Sequence, residues 1–172
     1  MSTSESTPST VILSERPKWL DPYISGSDTI EFEGKTYRYD LVSPGFAQRN
    51  RTPHIFAIGT NGVLAVSKTI PKAFRSIVAL HELMERDACD REDGCLETLM
   101  RELELLEPMG IDRKEYLPFR EIFFAQVVSH YEGRANLATA AEKLHLARLR
   151  RSYEYLKELN AAAGKEATEK KE

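Results

Sequence analysis

The sequence predicts an α+β fold in which a small antiparallel or mixed sheet of two hairpins is followed by helices. Apolar and polar residues alternate over residues 29–41, and a second segment of this kind, residues 54–67, surrounds a glycine-containing turn. From Pro71 onward the apolar residues recur with helical spacing. Strands that all precede the helices are typical of α+β proteins rather than of βαβ units.

Two hairpins account for the predicted sheet. In residues 29–41, TIEFEGKTYRYDL, apolar residues alternate on both sides of a glycine, which predicts a turn near Glu33–Lys35. The second hairpin is predicted from His54–Ile58 and Val63–Ser67, joined by the GTNG turn Gly59–Gly62.

Four helices are predicted, at approximately 71–88, 95–107, 115–132 and 139–160. Pro71 suits the first turn of a helix, where its missing N–H would have no partner in any case. Thr139 followed by Glu142 is a capping box, which predicts a helix start near Ala140.

The chain is expected to divide into one main domain and short appendages. Residues 1–16 are rich in Ser, Thr and Pro, and residues 164–172 have no apolar side chain larger than Ala, so both are predicted to be disordered tails. Residues 17–132 then form the α+β domain, and residues 133–163 form a C-terminal helical segment.

Composition excludes several classes of protein. The 172 residues carry 24 Lys and Arg against 27 Asp and Glu, which argues against a chain that coats nucleic acid with its whole surface. No apolar run approaches the roughly 18–20 residues that span a bilayer, and MSTSESTPST is not a secretory signal. Two cysteines cannot build a disulfide framework. We therefore expect a cytoplasmic globular protein with no membrane contact.

The first predicted helix carries the strongest chemical signal. At about 100° per residue, His81 lies in the centre of the apolar stripe of this helix, and Glu85 lies on the same stripe about 40° away. Glu82 projects from its edge. A buried carboxylate is costly unless a cation or several donors meet it. His81 and Glu85, one turn apart, could point at one metal ion.

This run resembles the HExxH helix of zincin metallopeptidases, with glutamate in place of the second histidine. Residues 54–85, HIFAIGTNGVLAVSKTIPKAFRSIVALHELME, are similar to the edge strand, connection and active-site helix of that family. The resemblance implies that His81 and Glu85 are metal ligands and that Glu82 is the general base acting on metal-activated water. It implies zinc as the metal and a peptide or protein as the substrate. The carboxylate ligand makes manganese or iron plausible as well.

A zincin needs a third ligand from farther along the chain. His130, at the edge of an apolar arc in EIFFAQVVSHY, is the first candidate, and Glu121 and Glu132 are weaker ones. The stretch Asp87–Glu97 offers four more: Cys89, Asp90, Asp93 and Cys95. In the alternative interpretation no metal is bound. His81 is then a hydrogen-bonded core residue, and Glu85 pairs with a buried arginine such as Arg120.

The C-terminal segment gives a second, independent signal. Residues 133–159, GRANLATAAEKLHLARLRRSYEYLKEL, are similar to the helix-turn-helix of Fis-like regulators at Gly133, Asn136, Ala140, Ala141, Leu144, Leu146 and Arg148. This resemblance implies that Arg148, Arg150 and Arg151 contact duplex DNA.

That family has a turn glycine where this chain has His145. Without a break there, residues 140–160 form one continuous helix. Its apolar stripe would pack on the domain or on a partner helix, as in a homodimer, and consists of Leu146, Leu149, Tyr153 and Leu156.

Two functional hypotheses follow from these signals. The first is a metal-dependent hydrolase that resembles a minimal zinc metallopeptidase. The alternative is a non-catalytic regulator that binds DNA or another protein through residues 133–160.

Overall fold

The computed structural model describes residues 11–12, 16–50, 57–59, 63–88, 91–134 and 139–171, and it confirms the α+β prediction. The strands are β1 (Val11–Ile12), β2 (Ile24–Phe32), β3 (Lys35–Val42), β4 (Ala57–Ile58) and β5 (Ala65–Ser67). The α-helices are α1 (Gly45–Asn50), α2 (Arg75–Arg86), α3 (Gly94–Glu104), α4 (Arg113–Glu132) and α5 (Ala140–Glu169).

The first predicted hairpin is confirmed. β2 and β3 pair in antiparallel register, with Phe32 opposite Lys35 at the end of the ladder. Glu33 and Gly34 form the turn between them, and both have positive φ angles, 50° and 73°. A two-residue turn with two positive φ values matches the twist of the flanking strands, and glycine adopts it without steric cost.

β3 organises a mixed sheet, because β2, β1 and β5 all pair with it. β5 then pairs with β4 in antiparallel orientation, as the second predicted hairpin requires. The remainder of that hairpin, residues 54–56 and 60–62, lies outside the described residues. Within the described part of the sheet, β4 is the last strand of the path β1-β3-β5-β4.

Two residues of the N-terminal segment form a strand that the sequence does not predict. Val11 and Ile12 lie in the segment expected to be disordered, yet they pair in parallel with Thr36 and Tyr37 of β3. The nearby Arg16 donates to the buried carboxylate of Asp40, with an Nη2–Oδ1 distance of 2.7 Å. Backbone pairing attaches Val11 and Ile12 to the sheet, and the ion pair attaches Arg16.

Helix α2 packs against the sheet with the face that the sequence predicts. It contacts β2, β4 and β5, while α3 packs on α2 and α5, and α4 packs on α5. The predicted stripe is buried at every position: Phe74, Ile77, Val78, His81, Met84 and Ala88. Lys72, on the opposite side, is exposed.

The last helix is continuous, as in the second interpretation of the C-terminal segment. The capping box at Thr139 and Glu142 is present, and α5 runs through His145 without a break. Leu146, Leu149 and Leu156 are buried, with Tyr153 half-buried beside them, so the stripe packs within this chain.

α5 also continues past the predicted end near residue 160, to Glu169. Residues 161–171 are exposed, and their alanine, lysine and glutamate residues favour helix without needing a packing surface. The tail predicted for 164–172 is therefore solvated but mostly helical. Among the described helices, none combines the length and the apolar character needed to cross a membrane.

Candidate metal centre

His81 and Glu85 converge as their spacing predicts. His81 lies in the middle of the buried face of α2, with 2% of its surface exposed. Its Nε2 atom is 3.5 Å from Oε2 of Glu85, one helical turn later. Donor atoms bound to one tetrahedral zinc ion are about 3.3–3.8 Å apart, given zinc–ligand bonds of about 2.0–2.3 Å. The pair therefore already has the separation of two ligands.

Cys95 supplies a third donor beside them. It lies in the first turn of α3, buried against α2, and its Sγ accepts a hydrogen bond from Ser152 Oγ at 3.2 Å. One ligand atom each from His81, Glu85 and Cys95 lies within 4.8 Å of the other two. An imidazole, a carboxylate and a thiol together form a group that could hold a metal ion.

A buried carboxylate orients the histidine. Nδ1 of His81 is hydrogen-bonded to Oε2 of Glu102, a residue of α3 with no solvent exposure. Nδ1 is occupied by this bond, and the other ring nitrogen, Nε2, faces Glu85. Metal-ligating histidines commonly have such a carboxylate on the second ring nitrogen, because it fixes the ring and raises its basicity.

Glu102 is in turn held by two side chains of α4. The Tyr116 hydroxyl donates to its Oε1, and Arg120 donates from Nε to Oε1 at 2.9 Å and from Nη2 to Oε2 at 3.1 Å. The alternative interpretation paired Arg120 with Glu85. Arg120 instead pairs with Glu102. The acid on the stripe of α2 is not neutralised by that arginine.

Charges in this cluster shift the pKa values in opposite directions. Burial lowers the pKa of His81, but the Glu102 charge and hydrogen bonds to its neighbours outweigh it and raise the pKa well above its ordinary value. Burial opposes ionisation of Glu102, yet Arg120 and His81 lower its pKa to about 2. Burial opposes ionisation of Glu85 as well, but the hydrogen bond and charge of His81, together with smaller contributions from His145 and Cys95, lower its pKa. Burial and the Glu85 charge raise the pKa of Glu82 to about 7.

Glu82 lies where β4 meets α2. A Cβ atom at Gly59 would be 2.5 Å from Cβ of Glu82 and 2.9 Å from its Oε2, so only glycine allows this approach. Arg86 holds the same chain segment, donating to the carbonyl oxygens of Gly59 at 2.8 Å and Val63 at 2.7 Å. The end of the edge strand is thereby fixed against Glu82.

Replacing Gly59 by Ala is therefore expected to lower the free energy of unfolding by about 1–3 kcal/mol, because the methyl group overpacks this contact. Urea denaturation measures the change. The matched variant Gly164→Ala changes an exposed helical glycine with open space around it. It should raise stability by up to about 1 kcal/mol. Equal effects of the two substitutions would show that Gly59 is not closely packed against Glu82.

A cavity of about 720 Å³ opens onto this cluster. All three donors and Glu82 line it, and so do both residues of β4 and the Gly59 that follows them. Apolar side chains of α1, α4 and α5 also line it: Phe46, Phe123, Phe124, Val127 and Leu149. The two long helices, α4 and α5, contribute basic side chains to the lining: Arg120, His130, His145 and Arg148. The arrangement offers a metal-binding group and a carboxylate beside a partly apolar space.

The first candidate for the third ligand is not part of this donor group. His130, the first candidate, lines the same cavity, but it packs against Tyr131 and is not among the three converging donors. Burial and Arg134 lower its pKa. Cys95, another of the candidates from the sequence, lies beside His81 and Glu85 instead, because α3 packs on α2.

The weaker candidates have other partners. Glu121 accepts from Asn160 at 2.7 Å, Glu132 pairs with Arg150 at 2.9 Å, and Asp93 pairs with Arg151. Cys89 and Asp90 lie outside the described residues.

The arginines of the DNA-binding hypothesis are distributed over two surfaces. Arg150 and Arg151 form exposed ion pairs with acidic side chains, Arg151 with both Asp93 and Glu92. Arg148 instead lines the cavity. DNA binding through this segment stays a prediction.

Glu102 is the site residue that the sequence reasoning missed. The sequence does contain a signal for it, because Glu102 recurs at helical spacing with three apolar residues: Cys95, Leu99 and Leu106. In the structure all four are buried. A glutamate on such a stripe, like Glu85 on α2, indicates a buried partner.

Comparisons of the chain with protein-family models, curated proteins and solved structures gave no match, so the site has to be interpreted from its own residues.

Proposed function

We propose that this protein is a divalent-metal-dependent hydrolase that resembles a minimal zinc metallopeptidase. His81, Glu85 and Cys95 are its metal ligands, and Glu82 is its general base. The observation that carries the proposal is that three different donors lie within 4.8 Å of one another, with the second ring nitrogen of the histidine bonded to Glu102.

The donor set favours zinc. With Glu85 alone, the site is hard enough for manganese or iron to compete. Cys95 adds a soft sulfur donor, and sulfur with imidazole nitrogen is a combination that suits zinc. Three protein ligands, rather than four, are typical of catalytic zinc sites, which leave one position for water or substrate.

Glu82 is placed to move the proton of the reaction. A bound zinc ion would supply a Lewis acid and a water of lowered pKa. Glu82 follows His81 directly and lines the cavity, so its carboxylate can accept a proton from the attacking water. The hydroxyl group then joins the carbonyl carbon, the bond to the leaving group breaks, and Glu82 passes the proton to that group.

A peptide is the substrate that the surroundings support best. β4 ends the described path of the sheet and borders the cavity, and an extended peptide can add its backbone to such an edge. The apolar side chains that line the cavity, such as Phe123 and Val127, would contact a side chain of that peptide.

The proposal is tested with zinc-loaded protein and a quenched fluorescent peptide library. Replacing Glu82 by Gln should slow hydrolysis by about 10²–10⁴-fold, because the base is lost while the three ligands stay. Bound zinc should be unchanged. Glu107→Gln, an exposed change outside the cavity, serves as the control. Wild-type protein that holds zinc but cleaves nothing, or a Glu82→Gln variant of full activity, would contradict the proposal.

A further inference from the structure

Arg120 has one nitrogen that its ion pair does not use. A guanidinium carries five N–H groups, and Arg120 directs Nε and Nη2 at Glu102. Nη1 is buried and has no hydrogen-bond partner within the described residues. Buried polar groups are rarely left without partners, and an exception in a native site calls for an explanation.

The guanidinium is also held in a single position. Its central carbon lies 4.4 Å from the ring centre of Phe123 and 4.8 Å from that of Phe124. Two aromatic contacts and two hydrogen bonds to Glu102 leave it little freedom to turn. Nη1 is therefore a preorganised donor, the kind that stabilises charge at a fixed point.

Arg120 lines the same cavity as Glu82 and the metal-binding group. The ring of Phe123 lies beside the guanidinium, and Phe46 and Val127 are further apolar side chains that line this cavity. A ligand that satisfies both neighbours has an oxygen acceptor attached to a hydrophobic group. An acyl compound with an apolar or aromatic substituent meets this description.

The geometry points to Arg120 as a substrate-binding residue whose Nη1 donates to the carbonyl oxygen of an acyl substrate, with the apolar group of that substrate against Phe46, Phe123 and Val127. This inference rests on the proposed hydrolase function and adds the substrate class. It also gives Arg120 a role at the reacting carbonyl in addition to its pairing with Glu102.

Two probes with the same phenyl ring distinguish donation to a ligand oxygen from a purely structural role of Arg120. The first probe, 3-phenylpropanoate, offers carboxylate oxygens like those of an acyl product. The second, 2-phenylethanethiol, offers a sulfur atom and no carbonyl oxygen. Calorimetry of the zinc-loaded full chain gives both dissociation constants. Arg120→Lys keeps a cation for Glu102 but lacks the additional N–H groups of the guanidinium. It should weaken phenylpropanoate binding about tenfold or more. Binding of the thiol should change by less than about threefold.

Tyr116→Phe is the matched control, because it removes another donor to Glu102 and leaves Arg120 in place. It should not alter the ratio of the two affinities. Equal weakening of both probes in Arg120→Lys, or an unchanged affinity for phenylpropanoate, would overturn the inference. Zinc content is measured in parallel, so a wild-type chain without zinc would identify failure of the proposed function, on which the inference depends.

A measurement on the wild-type chain covers the case in which Arg120→Lys does not fold. In proton–nitrogen spectra of the arginine side chains, the Nη1 signal of Arg120 should shift when phenylpropanoate is added and should stay in place with the thiol. No shift with saturating phenylpropanoate, or the same shift with both probes, would overturn the inference.

Discussion

Replacing Glu102 by Gln is expected to lower the free energy of unfolding by about 3–5 kcal/mol, the usual cost of breaking a buried ion pair from one side. The substitution keeps the shape of the side chain and removes only its charge. Arg120, which has no solvent exposure, then keeps a positive charge in the interior without its partner. Arg120 stays ionised even without Glu102, because a guanidinium group does not lose its proton in proteins.

Urea denaturation of the purified variant measures this loss. Glu104→Gln is the matched control, since Glu104 lies two residues later on the same helix and is exposed. Its effect should stay within about 0.5 kcal/mol. The double variant with Arg120→Met removes the uncompensated charge and should recover part of the loss. A change below about 1 kcal/mol for Glu102→Gln would show that the cluster does not depend on this charge.

The local elements of this fold could be predicted from the sequence because each depends on a short pattern. Alternation around the glycine at residue 34 predicts the first hairpin, and the 3.6-residue period predicts the buried face of α2. The convergence of His81 and Glu85 follows from the same period, because residues one turn apart share a face.

The remaining parts of the site depend on packing between helices, which no local pattern specifies. Cys95, Glu102 and Arg120 come from α3 and α4, and their contacts with His81 or with one another span 14 to 21 positions along the chain. The choice between Cys95 and His130 depends on which helix packs beside His81. A sequence pattern places each residue on a face of its helix but does not say which helix that face meets.

Cys95→Ser is expected to weaken zinc binding by about 100-fold or more, since even outer partners of zinc ligands change affinity by about 10–100-fold. Serine nearly preserves the volume but replaces a soft sulfur donor with a hard, protonated oxygen. Competition with a chromophoric chelator measures the affinity of each variant.

His130→Ala is the control for this experiment, because it changes the same cavity at a residue outside the three donors. Its zinc affinity should stay within about threefold of the wild-type value. If His130→Ala loses the metal and Cys95→Ser keeps it, the ligand assignment is wrong and the first candidate from the sequence is the third ligand.

Elemental analysis of the purified full chain, beside its Glu85→Gln variant, tests the existence of the metal centre most directly. We expect about one zinc ion per wild-type chain and a loss of most of it when the carboxylate becomes an amide. Wild-type protein without a transition metal after growth and purification in the presence of zinc, or an equal content in the two proteins, would contradict the metal centre.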